Sequence, residues 1–369
     1  MFGLYPYFLE LLIDIIRTVK NYTVSFDESL NQINQKKQMD MIVRFWDHEV
    51  NKVTDKYFNS EFLGHATATD LLIHFKSGLA LLNQNDLAQV SMDGLNVNWK
   101  FYRDLFQERR GEELPDLLNI GSCGLHIVHG SFQQGARESG REIANILRSL
   151  WQIFHDVPAR KEDSIRITGT DVFPLQFCQH RWVEDIQVAE RALKIWPHVD
   201  KYVKTVTMEG KAPTSTSFFV VSSACDDVLI QAKLEFFVSV AKPMQEFVMK
   251  FQTKAPMGPY LGSSSKDLLM NTMGRFLKSE VLEKADTFKK LSSIDPADKK
   301  NHKHPKQVGL GLAVQDTLKK VTEKKAASEL CILSFKNDCV KFLSAIASKL
   351  LEKCPLKYPL VQYLVSVIP

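Results

Sequence analysis

Between residues 22 and 63 three runs rich in β-branched and aromatic residues follow one another: Tyr22–Phe26 (YTVSF), Met39–Trp46 (MDMIVRFW) and Lys56–Leu63 (KYFNSEFL). Such runs are strand formers. The stretches between them are polar, LNQINQKKQ after the first and the segment around His48–Lys52 after the second. Consecutive strands with short polar links predict an antiparallel meander. Thr67-Ala-Thr-Asp70 supplies an N-cap with an acid three positions on. It opens a helix through about Leu82, with Leu71, Leu72, Phe75 and Leu79 on its apolar face. A fourth strand, Leu87–Met92, runs into Asp93-Gly94, and a helix follows from about Asn98 to Arg109. Leu117–Ile120 and Leu125–Val128 read as a fifth strand.

After Gly130 the period changes. Ile143, Ile146, Leu147, Leu150, Trp151 and Phe154 recur at helical spacing, which predicts an amphipathic helix over 137–155. Further helices are expected at about 184–206, 226–253, 266–290 and 313–352, with a strand signal at Ser217–Val221. The basic run Lys299–Lys306 reads as an exposed linker. At the N-terminus, Leu9, Leu12, Ile13 and Ile16 keep helical spacing, and Glu10, Asp14 and Arg17 interrupt the apolar run. That pattern predicts a packing helix rather than a signal or an anchor, and a chain that is not secreted.

The charge balance, 47 Lys+Arg against 43 Asp+Glu, gives only +4. It suits contact with a polyanion without requiring it. Six dispersed cysteines without a CxxC pair give no disulfide framework.

Two acids occupy like positions, Asp27 after the first strand and Asp93 after the fourth. In a meander followed by a helix and a parallel strand, those two strands are neighbours. Their carboxylates then reach one end of the sheet, where paired acids can hold divalent cations that activate water at a phosphodiester. Mg²⁺ suits such oxygen donors. Each Asp is equally a turn former, and Asp93-Gly94 is ordinary turn chemistry. Cys123-x-x-His126 and Cys178-x-His180 offer two Cys and two His for zinc, or else buried thiols and hydrogen-bonded imidazoles. Trp46, Trp99, Trp151 and Trp196 are assigned to packing, as are Cys331 and Cys339. Arg137, Arg141 and Arg148 form one helix flank.

The segments YTVSFDESLN, MDMIVRFWD, VSMDGLNVN, GSCGLHIVHGSF and FCQHRWVED stand in the order found in hAT-superfamily transposase-like proteins. The chain resembles that transposon-derived family from about Phe2 onward. The resemblance implies an α/β fold, an RNase H-like mixed-sheet core interrupted by a large all-helical insertion. Its implied parts are an N-terminal helix (1–20), the core with strands 1–5 (21–130), the insertion (131–312) and a helical segment returning to the core (313–369). Asp27 and Asp93 match the family's first two catalytic, metal-binding acids. Cys123 and His126 match a structural CxxH element. Arg181 and Trp182 match an RW element that contacts DNA, where an aromatic face suits base stacking.

The family's third acid, a Glu in a serine-glutamate-arginine-like motif, has no counterpart. Glu329 and Asp338 lie in the wrong context. The chain therefore reads as truncated before the dimerisation segment, catalytically incomplete, and doubtful as a homo-oligomer. The resemblance implies a nuclear protein with DNA or chromatin partners and no membrane. It implies Mg²⁺ or Mn²⁺ only if activity remains. Two alternatives stand beside this reading: a metal-dependent DNA transposase completed by another acid, and a helical interaction scaffold without a nucleic-acid role.

Overall fold

The computed structural model describes residues 3–140, 142–179 and 181–367. His180 and Arg141, named above, lie outside the described residues, as does Phe2, where the resemblance begins. The chain is α/β, with one four-stranded mixed sheet and many helices. Its residues divide into two compact units. The first comprises 1–127, 251–265 and 353–369, and the second 128–250 and 266–352. Residues 313–352, expected with the returning C-terminal segment, thus fall in the second unit, while 251–265 belong to the first.

The first unit opens with α1 (Tyr5–Arg17), which buries Ile13 and Ile16. Then come β1 (Tyr22–Asn31), β2 (Lys36–Asp47) and β3 (Lys52–Leu63). All three strands are longer than their apolar runs, because polar residues of the links extend the ladders: Leu30 pairs with Lys37 and Asn31 with Lys36. α2 (Ala68–Gly78) begins at a closed capping box between Thr67 and Asp70. It ends four residues before Leu82. β4 (Leu87–Ser91) pairs parallel with β1, giving the order β3-β2-β1-β4, and α3 (Asn96–Gly111) follows.

The alternation of β2 buries Met39, Met41, Val43 and Phe45 and leaves Ile42 and Trp46 exposed. One face of the sheet is therefore buried and the other largely exposed, with Arg44 on it donating to the Lys254 carbonyl at 2.7 Å. Phe26 of β1, Phe75 of α2 and Phe101 of α3 meet edge to face at 5.2–5.9 Å on the covered face. Trp46 sits on the other face, so its assignment to packing is corrected.

The expected fifth strand does not form. Leu117–Ile120 is irregular, and Leu125–Val128 lies in α4 (Gly124–Glu138). The segment nevertheless runs beside β4: the Leu118 N–H donates to the Ala88 carbonyl (2.8 Å) and the Cys123 N–H to that of Met92 (3.1 Å). Arg109 is buried and ties this edge together, donating to the carbonyls of Gln84, Leu87 and Pro115.

The described residues of the second unit hold helices and no named strand. The helix expected over 137–155 is two: α4 stops at Glu138, Gly140 takes φ +62°, and α5 spans Ile143–Phe154. Arg137 and Arg148 therefore stand on different helices. α6 (Pro158–Thr168), α7 (Ile186–Met208), α8 (Thr216–Cys225) and α9 (Ile230–Phe251) follow. α8 replaces the strand expected at Ser217–Val221, since the Ser215 hydroxyl caps Phe218 N–H and starts a helix through the β-branched run. The 266–290 run breaks into α10 (Gly258–Gly274), α11 (Ser279–Glu283) and α12 (Phe288–Ser292). The 313–352 run divides into α13 (Leu312–Glu323) and α14 (Glu329–Lys353) around Lys325, whose φ is +51°. On α14 Cys339 is buried, but Cys331 is exposed, against expectation.

Lys299–Lys306 is not a free linker. Lys303 N–H donates to the Phe276 carbonyl, and His302 Nε2 pairs with the Pro296 carbonyl. In the first unit, α15 (Pro359–Leu364) is followed by a 3-10 turn at Val365–Val367. No helix among the described residues is long and apolar enough to cross a membrane.

Candidate metal centre

The Tyr22–Ser25 segment of β1 pairs with Leu87–Ser91 of β4, ending at Ser25 opposite Ser91. Asp27 and Asp93 each lie two residues beyond that last pair. Asp27 is exposed, and its Oδ1 accepts the Glu28 N–H at 3.0 Å. It stands opposite Asp40 in the β1–β2 ladder, and strand alternation turns it away from the face that carries Phe26.

Asp93 has other company. Its Oδ1 lies 2.8 Å from Nδ1 of His126. Donor atoms of Asp93, Cys123 and His126 all lie within 4.8 Å of one another, the one such group of three among the described residues. The local fold explains the meeting. Cys123 precedes the first residue of α4, and its carbonyl accepts the Ile127 N–H. Three residues along a helix is nearly one turn, so Cys123 and His126 share a side. The bond from Cys123 N–H to the Met92 carbonyl then sets that helix start beside Asp93.

The charges are coupled. Hydrogen bonding to Asp93, then to Cys123, raises the His126 imidazole to about 10. Burial pushes the Cys123 thiol up, but hydrogen bonds from the His126 side chain and from the backbone N–H groups of His126 and Leu125 outweigh it, and the net shift is downward. The arrangement favours a thiolate beside an imidazolium held by a carboxylate.

Glu28, which carried no role in the sequence reading, is the further acid here. Burial raises its carboxyl, Lys37 opposes that, and Asp27 and Asp93 add to it. Its side chain is 15% exposed and meets Lys37 at 3.8 Å, with Oε1 buried and unbonded. Its only sequence signal is its place beside Asp27.

The predicted DNA-contacting pair lies in the second unit. Arg181 is exposed and reaches Glu184 at 3.5 Å. The Trp182 indole N–H donates to the Gln179 carbonyl at 2.7 Å, and its ring meets Phe177 edge-on at 5.3 Å. Nearby Asp185 is buried, accepts the Cys178 N–H at 2.8 Å, and is raised by that burial to about 7. Cys178 itself is exposed. No protein-family model matches the chain, and no curated protein matches it.

Proposed function

We propose that this chain is a transposase-derived protein with an RNase H-like core that binds DNA and does not cut it. The observation that carries the reading is the strand order β3-β2-β1-β4, with β1 and β4 parallel and Asp27 and Asp93 at matching positions past their shared register. That is the arrangement the resemblance implies. The long helical stretch between α4 and α14 supports the insertion that the family carries.

The Mg²⁺ or Mn²⁺ pair of the family does not fit the residues present. Mg²⁺ wants an octahedron of hard oxygen donors, whereas Asp93 is held by the His126 imidazole with the Cys123 sulfur within 4.8 Å. Asp27 and Glu28 are adjacent on a strand and leave it on opposite faces, so they do not close on one ion. No cleavage step is derived from this site. Arg181 and Trp182 supply a cation and an aromatic ring for phosphate and base contact.

Fluorescence anisotropy with labelled duplex and single-stranded DNA across a salt series tests the reading. Binding that weakens as salt rises, and weakens further in Arg181→Ala and Trp182→Ala, is expected. A parallel nicking assay with Mg²⁺ or Mn²⁺ is expected to show no product. Absence of binding at low salt favours the interaction scaffold. Metal-dependent cleavage lost in Asp27→Ala or Asp93→Ala restores the transposase.

A further inference from the structure

We infer that Asp93, Cys123 and His126 form a three-ligand zinc site with a fourth position open to water. The inference goes beyond the DNA-binding reading and does not rest on it, since it needs neither Asp27 nor a nucleic acid.

The donor set is the first argument. A thiolate, an imidazole and a carboxylate are the three ligand types zinc takes, and the thiolate selects against Mg²⁺ and Ca²⁺. Geometry is the second. Tetrahedral bonds of about 2.0–2.3 Å place neighbouring ligand atoms roughly 3.3–3.5 Å apart. The three donors lie within 4.8 Å of one another, so side-chain adjustment, with the proton between His126 and Asp93 and any thiol proton of Cys123 released to solvent, brings them onto one ion. The 2.8 Å contact between Asp93 and His126 opens by about half an ångström to admit it.

Preorganisation is the third argument. Cys123 and His126 are fixed by the first turn of α4, and Asp93 is brought to them by the Cys123–Met92 backbone bond. The Leu125 and His126 N–H groups hydrogen-bond the sulfur, as the outer partners of a zinc thiolate do. Access is the fourth. The His126 side chain is 61% exposed and that of Asp93 29%, which leaves the fourth position to solvent. Structural zinc sites close with four protein ligands, whereas sites with three keep a water.

The test uses the reduced full-length chain, stripped of metal and titrated with Zn²⁺ against a chromophoric chelator. Stoichiometry is read by elemental analysis, and Co²⁺ serves as the spectroscopic probe. One equivalent of zinc is expected, with a thiolate-to-cobalt charge-transfer band and tetrahedral visible bands. Cys123→Ser, His126→Asn and Asp93→Asn weaken zinc by about tenfold or more, while Asp27→Ala and Cys178→Ser leave it unchanged.

Substoichiometric zinc, a cobalt spectrum without the thiolate band, or equal affinity in Cys123→Ser overturns the site. Loss of zinc in Asp27→Ala overturns this ligand set. Should a ligand variant not fold, protection of Cys123 from alkylation by Zn²⁺ in the wild-type chain, read by mass spectrometry, decides the matter, and no protection rejects the site. Zinc binding without DNA binding removes only the proposed function, and DNA binding without zinc removes only this inference.

Discussion

Asp185 shows how much one side chain can weigh in a helical unit. Buried at 3% exposure with a single backbone donor, it is held near 7 against an ordinary value of 3.8. The folded protein therefore keeps a proton that the unfolded chain releases. Its contribution to stability is complete below about pH 4 and is lost as pH rises through 7. Asp185→Asn keeps the oxygen that accepts the Cys178 N–H and removes the buried charge. Thermal unfolding is expected to show the variant matching wild type near pH 4 and melting a few degrees higher at pH 8. A wild-type advantage at pH 8 would mean that the carboxylate has found a partner. At the Asp93–Cys123–His126 cluster contacts work against burial: hydrogen bonds to Asp93 and Cys123 raise the His126 imidazole, and those from His126 and the Leu125 and His126 N–H groups lower the Cys123 thiol. Position along the chain gave no hint of that contact, which is why Asp93 and the Cys123–His126 pair were read as separate features.

Among elements, those with a local signature were legible. The β1–β3 meander was visible because β-branched and aromatic runs are joined by polar links, and α2 because Thr67 and Asp70 cap it. Thr67→Ala is expected to cost about 1 kcal/mol, measured as a lower urea midpoint with unchanged slope. An unchanged midpoint would show that the box contributes nothing net. Elements decided by tertiary context were not legible. Ser217–Val221 has strand composition, but the Ser215 cap and its burial among helices win, and Phe218 and Val221 become core residues of α8. Leu125–Val128 is apolar enough for a strand, yet the helix starting after Cys123 claims it. That one misreading hid the helical spacing that brings His126 to Cys123. The breaks at Gly140 and Lys325 are set by single left-handed residues inside otherwise periodic runs.

At the scale of the whole molecule the chain is interleaved. The first unit is assembled from three separated stretches, so its stability includes residues far from the sheet in sequence. Tyr358 is the clearest case: its ring lies nearly parallel to Trp99 at 6.5 Å. It also fills the space beside Gly121, where an added Cβ would sit 3.0 Å from the ring on a backbone at φ +95°. Tyr358→Ala is expected to lower stability by about 1–2 kcal/mol, because a half-buried ring loses part of its packing. Trp99 emission should shift to the red. Unchanged emission would show that the C-terminal stretch is not seated on α3.

The edge beside β4 has a consequence of its own. Where the expected fifth strand would have lain, this chain lays a strip joined to β4 by two spaced backbone hydrogen bonds, from Leu118 and Cys123. Such an edge frays at far less cost than a ladder. Fraying at Cys123 carries sulfur and imidazole away from Asp93. On the proposed zinc site, capturing the ion and fastening the strip are one event, and amide exchange at Leu118 and Cys123 should slow when zinc is added while exchange in β1 and β2 holds constant.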